Sequence, residues 1–293
     1  MIKHIELFTF IIIFIYSIII CIFNKFNKVK FIHFISNKKD SIDKIYKSIS
    51  LDINTVLNTK HYWNEDINNN LKKEILKIND DILDKLEEGY KYIPSMTELY
   101  YSSKENQNSD KQYVSNHTDG PFYGCNLYRA LVIINGNKNI DTYFPDENKV
   151  INLKKYDIVL FDYDNEFHYI NVNNSEYDDS QRIIIKLHYV KSNNRICEKI
   201  HCEFGRQTRD LFELNKEKLH LSGVISRSSL YYNTYRKYIL IFIFIILLLY
   251  YFKKKNKLLH RIIRCILYIF VIIEVSGIIY TLHFNLLKRK VCE

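Results

Sequence analysis

Glycine and proline are scarce in this sequence, at 7 and 3 of 293 residues. No Gly-rich phosphate loop and no internal repeat can be found, which sets aside a P-loop nucleotide site and a repeat array. Cysteine is equally thin. Of six, Cys21 and Cys265 fall inside apolar runs, and Cys125, Cys197, Cys202 and Cys292 are too few and too scattered for a disulfide scaffold. Cys197 and Cys202, with His201 between them and His220 beyond, have poor spacing for structural zinc; a Cys197–Cys202 disulfide is the alternative. A Ser/His/Asp nucleophile elbow is also missing. The length suits one domain of ordinary size with appendages.

What is abundant is Asn, Lys, Ile and Tyr, a bias as expected of an AT-rich coding sequence as of any structural demand. The formal charge of +9 is spread along the chain and gathers chiefly beside apolar runs, which argues against nucleic acid as a partner. Leu7 to Phe23 carries no charge over 17 residues. Tyr238 to Phe252 forms a second run of 15, and Cys265 to Phe284 a third, broken by Glu274. These runs predict membrane-spanning helices at both ends: an anchor at 1–24 and a helical hairpin at 238–287 with a basic turn. Buried helices of a globular core are the alternative. The expected location is therefore a multi-pass membrane protein, for example of the endoplasmic reticulum, with the lipid bilayer as a partner. The side is open, since Lys25, Lys28 and Lys30 favour one orientation and the six charges of the hairpin turn the other. Asn116 to Thr118 is a glycosylation sequon.

Between these ends, Ile67, Leu71, Ile75, Ile78, Ile82, Leu83 and Leu86 recur at helical spacing, predicting a helical layer over 41–96. From 97 to 191 the pattern changes to strand-like runs: Leu99 to Tyr101, Gln112 to Ser115, Tyr128 to Ile134, Asp141 to Phe144, Ile158 to Asp162, His168 to Val172 and Arg182 to Val190. Short runs rich in Ile, Val, Tyr and Phe, joined by polar turns, predict a mainly β core of the sandwich or barrel type. A helical extension is expected over 192–237.

His117 and Asp119 lie two positions apart, and in a strand such residues point to the same face. An imidazole and a carboxylate need one more ligand to make the two-His, one-carboxylate face that binds Fe(II) and leaves coordination positions open. His168, opening a later strand, is the candidate. Arg182 starts a run in which alternation puts Arg182, Ile184, Lys186 and His188 on one face; its guanidinium suits a carboxylate, against the plainer reading of an exposed strand-end Arg. Lys186 is the fallback on that face.

Taken in order, these stretches resemble the 2-oxoglutarate and Fe(II)-dependent oxygenases, closest to their prolyl 4-hydroxylase-like branch. The matches are Tyr113 to Asp119, Ala130 to Asn135, Asp141 to Pro145, Leu153 to Phe161, His168 to Val172 and Arg182 to Ile185. Tyr156 stands where the family usually has glycine. The resemblance implies a double-stranded β-helix, or jelly-roll, core. It implies iron held by His117, Asp119 and His168, 2-oxoglutarate held by Arg182, ascorbate as an accessory reductant, and O₂ and a protein or peptide side chain such as proline as substrates. Tyr101 and Tyr113 become candidates to line the co-substrate pocket, against the plainer reading as core aromatics. Two alternatives stay open: a catalytically degenerate binding module on the same fold, and an oxygenase of nucleic acid or small molecules.

Overall fold

The structure, a computed structural model, describes residues 2–26, 29–53, 60–64, 67–102, 116–119, 127–172, 182–191, 221–252 and 257–286. In chain order these form α1 (Ile2–Phe26), β1 (Ile32–Ile35), α2 (Lys39–Ile53), β2 (Lys60–Trp63), α3 (Asn69–Leu83), β3 (Tyr90–Tyr92) and β4 (Glu98–Ser102). There follow β5 (Tyr128–Asn135), β6 (Ile140–Phe144), β7 (Lys149–Asn152), β8 (Asp157–Asp162), β9 (Tyr169–Val172), β10 (Arg182–Lys191), α4 (Leu221–Phe252) and α5 (Lys257–Leu286). The expected strand at 112–115 lies outside the described residues.

Two antiparallel sheets stack. The larger has the order β1-β8-β5-β10-β4-β2, with β3 also on β10, and the smaller the order β7-β6-β9. The central strands β5, β8 and β10 are buried on both faces, because each face meets a different layer. Ala130, Val132 and Ile134 of β5, Ile158 and Leu160 of β8, and Ile183, Ile185, Leu187 and Tyr189 of β10 point to α2 and α3, joining Ile42, Ile45, Ile75, Ile78 and Ile82 in one core. The other face turns Leu131, Ile133, Val159, Phe161 and Ile184 toward the small sheet, where Phe144 meets them together with Phe31 and Leu153. Helix α3 begins where Asn68 Oδ1 accepts from the Leu71 amide at 2.9 Å, a side-chain cap.

Burial decides the stability. Each fully buried Ile, Leu or Phe side chain is worth roughly 1.5–3 kcal/mol, whereas an exposed pair such as Lys77–Glu74 contributes under about 1 kcal/mol. Gly136, in the turn after β5, is required by a close approach: a Cβ there would meet the Leu153 carbonyl oxygen at 2.4 Å.

The expectation of membrane-spanning helices is corrected. Among the described residues, no helix is long and apolar enough to cross a membrane, which overturns the spans at both ends and the multi-pass location and leaves the bilayer as a partner without support. The uncharged run of α1 is 17 residues, short of the roughly 20 needed to cross the hydrocarbon. That of α4 is 15, and α5 is interrupted by Glu274. The three helices instead pack on one another through Phe10, Phe14, Leu240, Ile243, Leu247, Tyr250, Ile263, Leu267 and Phe270. Arg264 reaches across to Glu6, whose Oε1 also accepts from the Tyr268 hydroxyl at 2.8 Å.

Tyr156, before β8, has φ 78°, a left-handed conformation that strains a residue with a Cβ. It is held there on both sides: its amide donates to the Ile133 carbonyl at 3.0 Å, and its hydroxyl to Asp43 Oδ1 at 2.9 Å. Replacing Tyr156 by Ala or by Gly removes the same phenol, but only Gly relieves the backbone. Tyr156→Gly is expected to be more stable than Tyr156→Ala by about 1 kcal/mol in urea unfolding; equal stabilities would show that the turn carries no strain.

Candidate metal centre

His117 and His168 face each other across an isolated antiparallel bridge, the His117 amide donating to the His168 carbonyl at 3.1 Å and the His168 amide donating back at 2.9 Å. Residues opposite one another in such a pair project to the same face. The two rings accordingly lie side by side, with centroids 4.6 Å apart. Asp119 Oδ1 is 3.6 Å from His117 Nε2, and Oδ2 is 3.3 Å from His168 Nε2. The three side chains offer ligand atoms within 4.8 Å of one another, and among the described residues this is the group of His, Cys, Asp or Glu placed to hold a metal ion.

The surroundings tune these ligands. Phe161 and Phe144 pack on His168 at ring-centroid distances of 4.8 and 6.1 Å. Burial, together with the neighbouring His117, pulls the His168 pKa below its ordinary value against the pull of Asp119, so the ring is kept neutral. His168 Nδ1 lies 3.2 Å from the Glu166 carbonyl. A carbonyl only accepts, which assigns the proton to Nδ1 and turns the Nε2 lone pair toward Asp119. Two acceptors then face each other across 3.3 Å, an arrangement that a cation between them relieves. A neutral imidazole at His168 and an ionised carboxylate at Asp119 are protonation states that metal ligation needs, and His117 adds a second imidazole, so the donor set fits a divalent ion.

Beneath Asp119 sits a charged network within the fold. Arg129 is 6% exposed and donates from Nη1 to Asp119 Oδ2 at 2.6 Å, from Nη2 to Glu98 Oε1 at 3.0 Å and from Nε to His188 Nε2 at 3.0 Å. Lys186 Nζ donates to the other Glu98 oxygen at 3.1 Å. Burial would raise the Asp119 pKa, but the charge of Arg129 beside it outweighs this and holds the carboxyl well below its usual range.

Arg182 is 5% exposed, and its NH2 donates to Thr142 Oγ1 at 2.9 Å. Among the described residues it has no carboxylate partner. Burial lowers its pKa to about 10, opposed by Tyr100. Of the two pocket tyrosines expected from sequence, Tyr101 pairs through its backbone with Ile183; its side chain, and all of Tyr113, lie outside the described residues. So do Cys197, His201, Cys202 and His220. Tyr100, one position earlier, pairs with Ile184 on the face that carries Arg182 and is 5% exposed.

Sequence reasoning missed Tyr100, Thr142, Arg129, Glu98 and His188 as site residues. A signal was present: Glu98 and Arg129 are charges within otherwise apolar strands, and the register places Glu98 opposite Lys186 and Arg129 opposite His188.

His188 is fully buried, and burial first, then the Arg129 charge, pushes its pKa down to about 3. The unfolded chain takes up a proton near pH 6.5 that the folded chain refuses. This contribution is therefore complete above pH 6.5 and is lost as pH falls toward 3. His188→Gln keeps an acceptor for Arg129 and removes the titration. Urea unfolding between pH 7 and 4.5 should show a shallower loss of stability in the variant, by up to about 1.4 kcal/mol per pH unit; identical slopes would refute the assignment.

Searches against protein-family models and curated proteins return no match. Solved structures do match, and they are prolyl hydroxylases and other 2-oxoglutarate-dependent oxygenases, the family that the sequence resembles. A viral collagen prolyl hydroxylase from Paramecium Bursaria Chlorella virus-1, in its 2-oxoglutarate complex, is 13% identical, with 55% of this chain and 95% of that chain covered at a TM-score of 0.39. A prolyl hydroxylase from Trichoplax adhaerens, in complex with a hypoxia inducible factor peptide fragment, is 14% identical, with 62% and 92% covered at 0.37. HygX from Streptomyces hygroscopicus, with nickel and 2-oxoglutarate bound, is 8% identical, with 55% and 83% covered at 0.39. At these identities the chemistry of the site rests on this chain's own residues.

Proposed function

We propose that the chain is a non-haem Fe(II) oxygenase that uses 2-oxoglutarate, with iron held by His117, Asp119 and His168 and the distal carboxylate of the co-substrate by Arg182. The observation that carries this is the pairing of two buried features: three ligand atoms within 4.8 Å of one another, and a buried guanidinium whose described hydrogen-bond partner is a neutral hydroxyl. Two imidazoles and one carboxylate leave positions open for a chelating co-substrate and O₂, whereas a structural zinc site is closed by four protein ligands. When bound, Fe(II) supplies O₂ activation coupled to decarboxylation of 2-oxoglutarate to succinate and CO₂.

The chain's own residues supply geometry and electrostatics. Arg182 offers a planar pair of donors that matches a carboxylate, and burial strengthens that pair by excluding water. Thr142 orients the guanidinium, and Tyr100 presents its ring nearby. On this face of the large sheet Arg129, Lys186 and Arg182 stand against Glu98 and Asp119, an excess of positive charge that favours an anionic ligand. Phe144, Phe161 and Phe31 keep the floor dry. Tyr113 remains a candidate for the pocket wall, whereas the backbone register sets Tyr101 opposite Ile183, on the other face from Arg182; ascorbate belongs to the same reading as a reductant. A protein side chain such as proline as the hydroxylated group is supported by the order of motifs from Tyr113 to Ile185, which resembles the prolyl 4-hydroxylase-like branch.

The test is succinate formation from 2-oxoglutarate by the full chain with Fe(II) and O₂. His117→Ala should abolish turnover. Arg182→Ala should raise the KM for 2-oxoglutarate on the order of a hundredfold, the effect of removing one partner of a buried charge pair, with Arg182→Lys intermediate because it loses the planar fork. Iron binding without succinate formation, over a panel of peptide, nucleic-acid and small-molecule substrates, would favour the binding-module alternative.

A further inference from the structure

Asp119 is the one carboxylate of the cluster, and it is locked from below before any ion is considered. Among the described residues, Arg129 is the Lys or Arg within salt-bridge reach of it, at 2.6 Å. The guanidinium is itself fixed at three corners, by Asp119, by Glu98 at 3.0 Å and by His188 at 3.0 Å, and its Cζ lies 4.6 Å from the Tyr163 ring centroid. A planar group tied at three points has no freedom to follow Asp119; the carboxylate must come to it. Removing one partner of such a buried pair leaves an uncompensated charge and is strongly destabilising.

We propose that Arg129 is a positioning residue that stands in for the metal's charge: it neutralises Asp119 in the metal-free protein and so keeps the three ligands assembled for the ion. This rests on the metal reading of His117, Asp119 and His168. It predicts that a divalent ion and Arg129 are partly redundant for stability, because either cation satisfies the same buried carboxylate. A guanidinium that merely packs the sheet would not be redundant with an ion.

The experiment is thermal unfolding of the full chain, wild type and Arg129→Gln, without metal and with saturating Co(II). Arg129→Gln should lower the metal-free midpoint by about 10 °C, and Co(II) should restore most of that loss, so that its shift is clearly larger in the variant than in wild type. A variant that folds only with Co(II) supports the proposal in stronger form. Equal Co(II) shifts in the two proteins overturn it, as does a variant that stays unfolded with Co(II). A wild type that Co(II) does not shift at all removes the metal reading, and this inference with it, and is thereby distinguished from a failure of Arg129 alone.

Discussion

The site hangs on two backbone hydrogen bonds between His117 and His168. Fifty-one positions separate these residues, and nothing in their side chains would hold two imidazoles together. The reciprocal amide–carbonyl pair does so by placing them directly opposite on neighbouring extended segments, which fixes their rings on a common face. Asp119 follows by period two. The ligand set is therefore a product of sheet geometry, and the small sheet has to be in place for it: β9 begins one residue after His168, and its pairing with β6 sets the level at which His168 meets His117.

Sheet geometry also sorts the chemistry from the stability. Along β10, Ile183, Ile185, Leu187 and Tyr189 face the helices, while Arg182, Ile184, Lys186 and His188 face the small sheet. The first set contributes most of the burial and tolerates no charge. The second is where charge can be kept, because β4 and β5 lie on either side of β10 and bring Glu98 opposite Lys186 and Arg129 opposite His188. In a dry interior each of those charges would be costly alone. As a connected network they fix one another's positions.

Much of this was legible in the sequence. Six of the seven strand-like runs lie within the β core, the run at 112–115 being outside the described residues, and the period-two argument from His117 to Asp119 and along β10 needs no structure. Four strands were not legible. β1, β2, β3 and β7 are three or four residues long, too short for alternation to declare itself, and they form only because a neighbouring strand offers its edge. Tyr100 was hidden for a related reason: in the consecutive pair Tyr100 and Tyr101, sequence cannot say which residue shares the face of Arg182, and only the register with Ile184 decides. Arg129 and Glu98 drew no notice because a charge in an apolar strand reads as a strand end until its partner across the sheet is known. The apolar termini misled in the other direction: hydropathy registers the composition of a run, whereas the contacts of Phe10, Leu240 and Leu267 depend on how three helices meet.

The order of charges across the inner face gives the site its polarity. Starting at the metal end, Asp119, Arg129, Glu98 and Lys186 alternate in sign, each within hydrogen-bonding reach of the next. Arg182 lies beyond this chain, with a hydroxyl for company. A closed alternation needs nothing from outside, so an anion gains little by approaching Arg129 or Lys186, whose charges are already matched. It gains most at Arg182, where a buried positive charge meets no described carboxylate. The function proposed above calls for this separation: one end of a dianionic co-substrate would be drawn to the cluster of His117, Asp119 and His168 and the other to a distinct cation. The network achieves it by neutralising every charge between the two.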